Sequence, residues 1–235
     1  MRKSIVLLLL TVFLLLGCAI GPSFLVKVDS ISIPEVISEK TFILLPGLKD
    51  VNSNDLQFKE YASYVERALT SAGYIKAKDF KDARIAIFLS YGIGAPKEHV
   101  YSYSLPVWGQ TGVSSSTTYG TITSYGSYGT FRGTTTYTPT YGITGYTTHI
   151  GSYTTFFRFL ILDAVDLKKY RRSGKVIHIW RTTVTSRGSS GDLRRVFPVL
   201  VAAAKPYIGT NTGKQLDITL TEQDKAVLEI KALTK

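Results

Sequence analysis

The sequence predicts an α+β domain: a mostly antiparallel sheet, two main helices on one face, and a Tyr/Gly/Thr-rich β-ribbon inserted in the middle. Three observations carry that prediction. Apolar residues alternate in short runs toward both ends of the chain. Two segments place their apolar residues at helical spacing. Residues 101–153 have a composition of their own, dominated by Tyr, Gly, Ser and Thr.

Taken in order, Phe24, Val26, Val28, Ile31 and Ile33 alternate loosely and read as a strand that Pro34 ends. Thr41 to Leu45 is a buried-strand run stopped by Pro46-Gly47. A helix follows, capped by Ser53 or Asn54 with Asp55 in its first turn, where a carboxylate suits the helix dipole. Leu56, Tyr61, Val65, Ala68, Leu69 and Ala72 form its apolar stripe, and Gly73 supplies the stop. Ala83 to Tyr91 returns as a strand with Ile85, Ile87 and Leu89 on one face.

The stretch from Tyr101 to Tyr153 holds Tyr-Gly pairs at Tyr119, Tyr125, Tyr128 and Tyr141 without a fixed period. No acidic residue occurs between Glu98 and Asp163. Thr and Tyr favour strands while the glycines mark turns and bulges, so the stretch reads as ribbon-like hairpins projecting from the sheet. Disorder is the competing reading, and low charge with many aromatics counts against it. Thr155–Leu162 and Lys175–Ser186 are the next strands, with a polar connection, Asp166 to Gly174, between them. Ser189 or Ser190 starts a second helix through Ala204, which Pro198 kinks or whose start it shifts. Gln215–Leu220 is a strand, and Thr221–Leu233 a short helix with Thr221 and Asp224 as a capping-box variant.

The N-terminus carries an address. Met1-Arg2-Lys3 precedes an apolar run from Ile5 to Leu16, the layout of a secretory signal and short of the about 20 residues a spanning helix needs. An uncleaved anchor helix is the alternative. Leu15-Leu16-Gly17-Cys18 resembles the lipobox of bacterial lipoproteins, which implies cleavage before Cys18 and acylation of its thiol and new amine. The chain has a single cysteine, so no disulfide competes within it. Residues 1–17 are then the signal peptide, 18–23 a tether, and 24–235 one domain with the ribbon inserted at about 101–153. Ala19 after the cysteine points, by the same resemblance, to the outer membrane, facing the periplasm. Thr41-Phe42-Ile43-Leu44-Leu45-Pro46, a helix ending at Gly73-Tyr74, and Asp82 leading a strand resemble the bacterial lipoproteins grouped as domain of unknown function 4136. That resemblance covers residues 41–95 and implies an envelope lipoprotein; it brings no catalytic residues.

Removing residues 1–17 lowers the formal charge from +11 to +9. Between Lys168 and Arg195 stand nine basic residues and one acid, Asp192. In an exported chain this favours anionic glycan or headgroups over nucleic acid, with a solvated basic face as the bland reading. Enzymatic motifs are missing. There is no G-x-S-x-G, no Ser-x-x-Lys and no H-E-x-x-H; His99, His149 and His178 are scattered, and Gly92-x-Gly94 does not open a helix. No cofactor or metal is expected. Asp163 and Asp166 read as a strand end and a turn.

The sequence therefore predicts a non-catalytic, lipid-anchored envelope lipoprotein acting as a structural or assembly partner of another envelope protein. The alternative is a binding module for anionic envelope glycan, peptidoglycan or lipopolysaccharide. Candidate residues are Cys18 for lipidation, the cluster Lys168, Lys169, Arg171 and Arg172, and the ribbon tyrosines Tyr119, Tyr125, Tyr128 and Tyr141. Those tyrosines stack on a partner, or pack across their own strands.

Overall fold

The computed structural model describes residues 21–34, 39–125 and 128–232, the side chains of residues 125–129 excepted. These fall into two units: a body formed by the chain up to Lys97 and from Thr154 onward, and a ribbon, Glu98–Tyr153. The elements in order are β1 (Ser23–Ser32), β2 (Thr41–Pro46), α1 (Leu56–Ser71), β3 (Ile75–Lys76), β4 (Ile85–Ile93), β5 (Lys97–Tyr125), β6 (Tyr128–Asp166), α2 (Leu167–Ser173), β7 (His178–Gly188), α3 (Leu193–Ala204), a single 3₁₀ turn, β8 (Leu216–Thr221) and α4 (Lys225–Lys231).

The expected α+β class is overturned. Strand accounts for 54% and helix for 22% of the described residues, which form a mixed sheet of eight strands with four helices, so this is a mostly-sheet fold. Two physical causes stand behind the correction. The ribbon is made of continuous strand, the upper parts of β5 and β6, and so shifts the balance. The sheet is also mixed, because β2 runs parallel to both β3 and β4. A strand–helix–strand unit returns its second strand in the same direction, and β2–α1–β4 is such a crossover.

In the body the strand order is β3-β2-β4-β6-β7-β1-β8. β4, β6, β7, β1 and β8 are antiparallel neighbours, with Leu89 opposite Leu162, Leu160 opposite Val184 and Val28 opposite Val184. Period-2 alternation sends Val26, Val28, Phe42, Ile87, Leu160 and Leu162 to one face, where they meet α1, α3 and α4 in one core. Phe197 of α3 is its centre. Its ring stacks on Tyr61 at 4.0 Å and meets the edge of Tyr91 at 5.8 Å, joining two helices to β4.

The helix ends follow local chemistry. Asp55, and not Ser53 or Asn54, caps α1, its Oδ1 accepting from the Phe58 N–H at 2.9 Å. After it Gly73 turns the chain at φ 84°, a conformation that suits glycine. The segment read as a polar connection is the helix α2. Asp166 caps it, accepting from Lys169 N–H at 2.8 Å, and Gly174 closes it at φ 68°. Pro198 is held inside α3 without ending it, and Asp192 caps that helix through Arg195 N–H. α4 starts later than expected: Asp224 is its N-cap, without a side-chain capping bond, and its Oδ2 instead accepts from Thr221 N–H at 2.7 Å in the preceding turn, so the expected capping box does not form.

Two buried phenols make the body sensitive to alkali. Desolvation pushes Tyr61 and Tyr74 up to about 12. A folded-state value above the unfolded ~10 gives stability that is whole below pH 10 and is lost as pH rises from 10 through 12. Two such shifts amount to about 5 kcal/mol. Urea midpoints measured at pH 8, 10 and 11.5 will fall steeply above pH 10, and less steeply in Tyr61→Phe. A flat profile, or an unchanged slope in that variant, contradicts the assignment.

Candidate functional site

The ribbon is a two-stranded antiparallel hairpin, as its cross-strand hydrogen bonds show: residue numbers fall along β6 as they rise along β5. Thr111 Oγ1 lies 3.4 Å from Thr140 Oγ1, Ser115 Oγ donates to Thr138 Oγ1 at 3.1 Å, and Thr118 and Thr135 share a hydroxyl bond of 2.8 Å. These contacts fix the faces. In the distal part of the ribbon, residues 107–124 and 130–144, odd positions of β5 share a face with even positions of β6. One face then carries a row of hydroxyls on β6, Thr130, Thr134, Thr136, Thr138, Thr140 and Thr144, interrupted by Arg132 and Gly142. The other carries Trp108, Ile122, Phe131, Tyr137, Tyr141 and Ile143, all exposed, and no charged residue.

Near its base the ribbon uses its aromatics on itself. His99 stacks on Tyr153 at 4.9 Å, Tyr103 on His149 at 5.6 Å, and Tyr101 lies where a Cβ on Gly151 would stand. Near the tip Phe131 does the same over Gly120 and Gly133. Elsewhere along the ribbon this self-packing lapses. Tyr119, Tyr137 and Tyr141 make no ring contact among the described residues and are 73%, 61% and 69% exposed. Of the four tyrosines singled out in the sequence, Tyr119 stands on the hydroxyl face and Tyr141 on the aromatic one. The side chains of Tyr125 and Tyr128 lie outside the described residues, as do Cys18 and the signal segment.

The basic cluster is distributed along α2. Arg171 is committed: it donates to the carbonyls of Ala83, at 3.0 Å, and Phe80, and its guanidinium lies over the Phe80 ring at 5.3 Å. It braces the loop before β4. Lys168 and Arg172 are exposed, and Lys169 is half-buried. The cluster belongs to the body and the tyrosines to the ribbon.

The sheet face opposite α1, α3 and α4, where α2 packs through Leu167, has a groove of about 590 Å³ bordered by Pro46, Lys49, Phe88, Ser90, Ile161, Asp163, Arg181 and Thr183. At its rim Asp163 accepts from Arg181 at 2.7 Å and pairs with His178 Nδ1 at 2.9 Å. Asp163 and Arg181 are direct cross-strand partners. Sequence reading missed this trio, since only the β6–β7 register reveals it. It is a self-satisfied charge group with no nucleophile hydrogen-bonded to the histidine among the described residues. Asp166 is committed elsewhere: its Oδ1 takes both Arg84 and the Lys169 N–H that begins α2, while its buried Oδ2 has no hydrogen-bond partner among the described residues. Among the described residues no group of three His, Cys, Asp or Glu side chains is arranged to hold a metal, and no helix is long and apolar enough to cross a membrane.

Compared with protein-family models, the chain matches none, and compared with curated protein sequences it again matches none. Among solved structures it is similar to a PDZ domain protein from Parabacteroides distasonis ATCC 8503, at TM-score 0.39 and 9% identity, over 90% of this chain and 42% of that one. It is also similar to the lysenin pore, at TM-score 0.11 and 9% identity, over 85% of this chain and 49% of that one. The chain thus spans less than half the length of either. Both TM-scores are too low to carry an argument.

Proposed function

We propose that this chain is a non-catalytic, lipid-anchored lipoprotein of the bacterial envelope that works by contact, with the distal ribbon as its contact element. The observation that carries the reading is the ribbon's aromatic face, six large side chains in the open with no charge among them. Contiguous apolar surface of that kind marks an interaction site on a soluble unit. The lipobox at Leu15–Cys18 supports the address, placing the body by the outer membrane on its periplasmic side, and the resemblance to the domain of unknown function 4136 lipoproteins agrees with it. Anchoring by more than one acyl chain holds such a protein stably on a bilayer and raises the effective concentration of its ribbon toward neighbours there.

One experiment tests address and role together. A photo-crosslinking amino acid is placed at Trp108, Tyr137 or Thr138 in the native host, cells are irradiated intact, and membranes are separated before blotting. The expected result is a defined protein adduct in the outer-membrane fraction from the aromatic-face positions. Protein that sediments with no membrane, or that yields no protein adduct at any position, overturns the proposal.

A further inference from the structure

We propose that the partner of the aromatic face is a second copy of this chain; the inference rests on the contact role just proposed and names the occupant. The relief of the face is the first reason. Four of its six large side chains, Phe131, Tyr137, Tyr141 and Ile143, form a ridge on β6, and Trp108 and Ile122 stand on β5 toward the two ends. Between Trp108 and Ile122 the β5 positions beside Tyr137 and Tyr141 are small, Gly112, Ser114 and Ser116. A ridge beside a valley, both running along the ribbon, is self-complementary. A two-fold axis parallel to the ribbon sets the ridge of each copy into the valley of the other, so that large meets small across the sheet-to-sheet gap. The axis keeps the two ribbons parallel, with their bases at the same end. That is the arrangement two copies held on one bilayer can reach.

Charge is the second reason. Arg132, the one Lys or Arg in the distal ribbon, stands on the hydroxyl face, so two aromatic faces meet without like-charge repulsion. Area is the third. With roughly 200 Å² per large ring, the exposed parts of the six side chains offer on the order of 700 Å², close to the ~800 Å² per partner of a standard interface. A two-stranded hairpin is marginal in water by itself, and a second ribbon over this face supplies the missing layer. A lipid surface is the different reading of the same apolar face. It is less favoured because a lone hairpin inside hydrocarbon leaves both strand edges without hydrogen-bond partners.

The test uses the full lipidated chain purified in detergent and followed by sedimentation velocity. The expected species is a dimer, and Tyr137→Lys with Tyr141→Lys shifts it to monomer by at least tenfold in dissociation constant. Thr136→Lys with Thr140→Lys, on the hydroxyl face of the same strand, leaves the dimer intact. Because the lysine variants can unfold the ribbon, a photo-crosslinking phenylalanine derivative at Tyr141, which keeps a large ring there, provides the second readout: a covalent adduct of twice the chain mass. Monomer throughout the micromolar range overturns the inference, as does equal loss from both pairs of variants. So does association that requires phosphatidylglycerol vesicles. If the purified chain stays monomeric while crosslinking in cells still captures a different protein, the second copy is excluded and the contact role stands. If neither experiment yields an adduct, both are excluded.

Discussion

Excising Glu98–Tyr153 and joining the cut ends through a short Asn-Gly turn leaves the body folded and removes every ribbon-dependent adduct. The body does not draw on the ribbon for its interior. All residues of the two hydrophobic clusters lie outside 98–153. The chain also returns to its starting point where the ribbon begins, since Gly94 N–H donates to Phe157 O at 2.7 Å, one step beyond the pairing of Ile93 with Arg158. A tight hairpin closes such a gap without strain, and Asn-Gly is the dipeptide whose backbone matches the strand twist. The thermal midpoint is expected to stay within ~3 °C of the parent, about 1 kcal/mol for a body of this size. Dimer and protein adducts are expected to fall below detection. A midpoint lowered by more than ~10 °C, or adducts retained from body positions alone, rejects the division of labour between a stable body and a contacting ribbon.

What was legible in the sequence follows from which interactions are local. β1, β2 and β4 announce themselves because each strand's alternation is read within itself, and Ile85, Ile87 and Leu89 do share the core face. The stripe of α1 is local in the same sense. Direction is not local: β2 and β4 are parallel because a helix carries the chain back over the sheet, and only the length of that crossover hinted at it. The helix α2 was missed although its signals were present. Asp166 stands at the N-cap, Arg171 and Arg172 in the last turn, and Gly174 just beyond. Its basic residues drew attention as a cluster and hid a helix of two turns.

The ribbon shows the same limit at the level of the site. Composition identified the segment and its tyrosines, but composition carries no register. A one-residue change in pairing sends a whole row of side chains to the opposite face. Only the contacts Ser115–Thr138 and Thr118–Thr135 reveal that the even-numbered threonines of β6 gather on one side and that Trp108, Tyr137 and Tyr141 share the other with Thr118 and Thr135. Tyr137 and Trp108 therefore enter the candidate surface with no claim from the Tyr-Gly pattern, while Tyr119 leaves the aromatic face. Asp163 and His178 similarly met through the pairing of β6 with β7, fifteen residues apart in sequence.

The largest destabilisation from one side chain is expected at Phe197→Ala. Phe197 is wholly buried in the middle of α3. Its ring is parallel to Tyr61 of α1 within 13° at 4.0 Å and edge-on to Tyr91 of β4. Truncation removes transfer energy and both ring contacts. It also opens a void that α3 cannot fill by sliding, because Val196, Leu200 and Val201 are themselves packed with essentially no exposure. Phe→Ala at such a site costs about 4 kcal/mol, and each aromatic pair adds up to ~1 kcal/mol beyond area. Phe197→Leu keeps most of the volume and loses the stacking, so its cost is expected near 1.5 kcal/mol. Urea denaturation at pH 7 on the ribbon-excised body separates the two, since the lone transition then reports the helix-covered core. A loss below about 1.5 kcal/mol for Phe197→Ala means that the helices are held to the sheet elsewhere. The joint of Tyr61, Tyr91 and Phe197 would then not be the centre of the body.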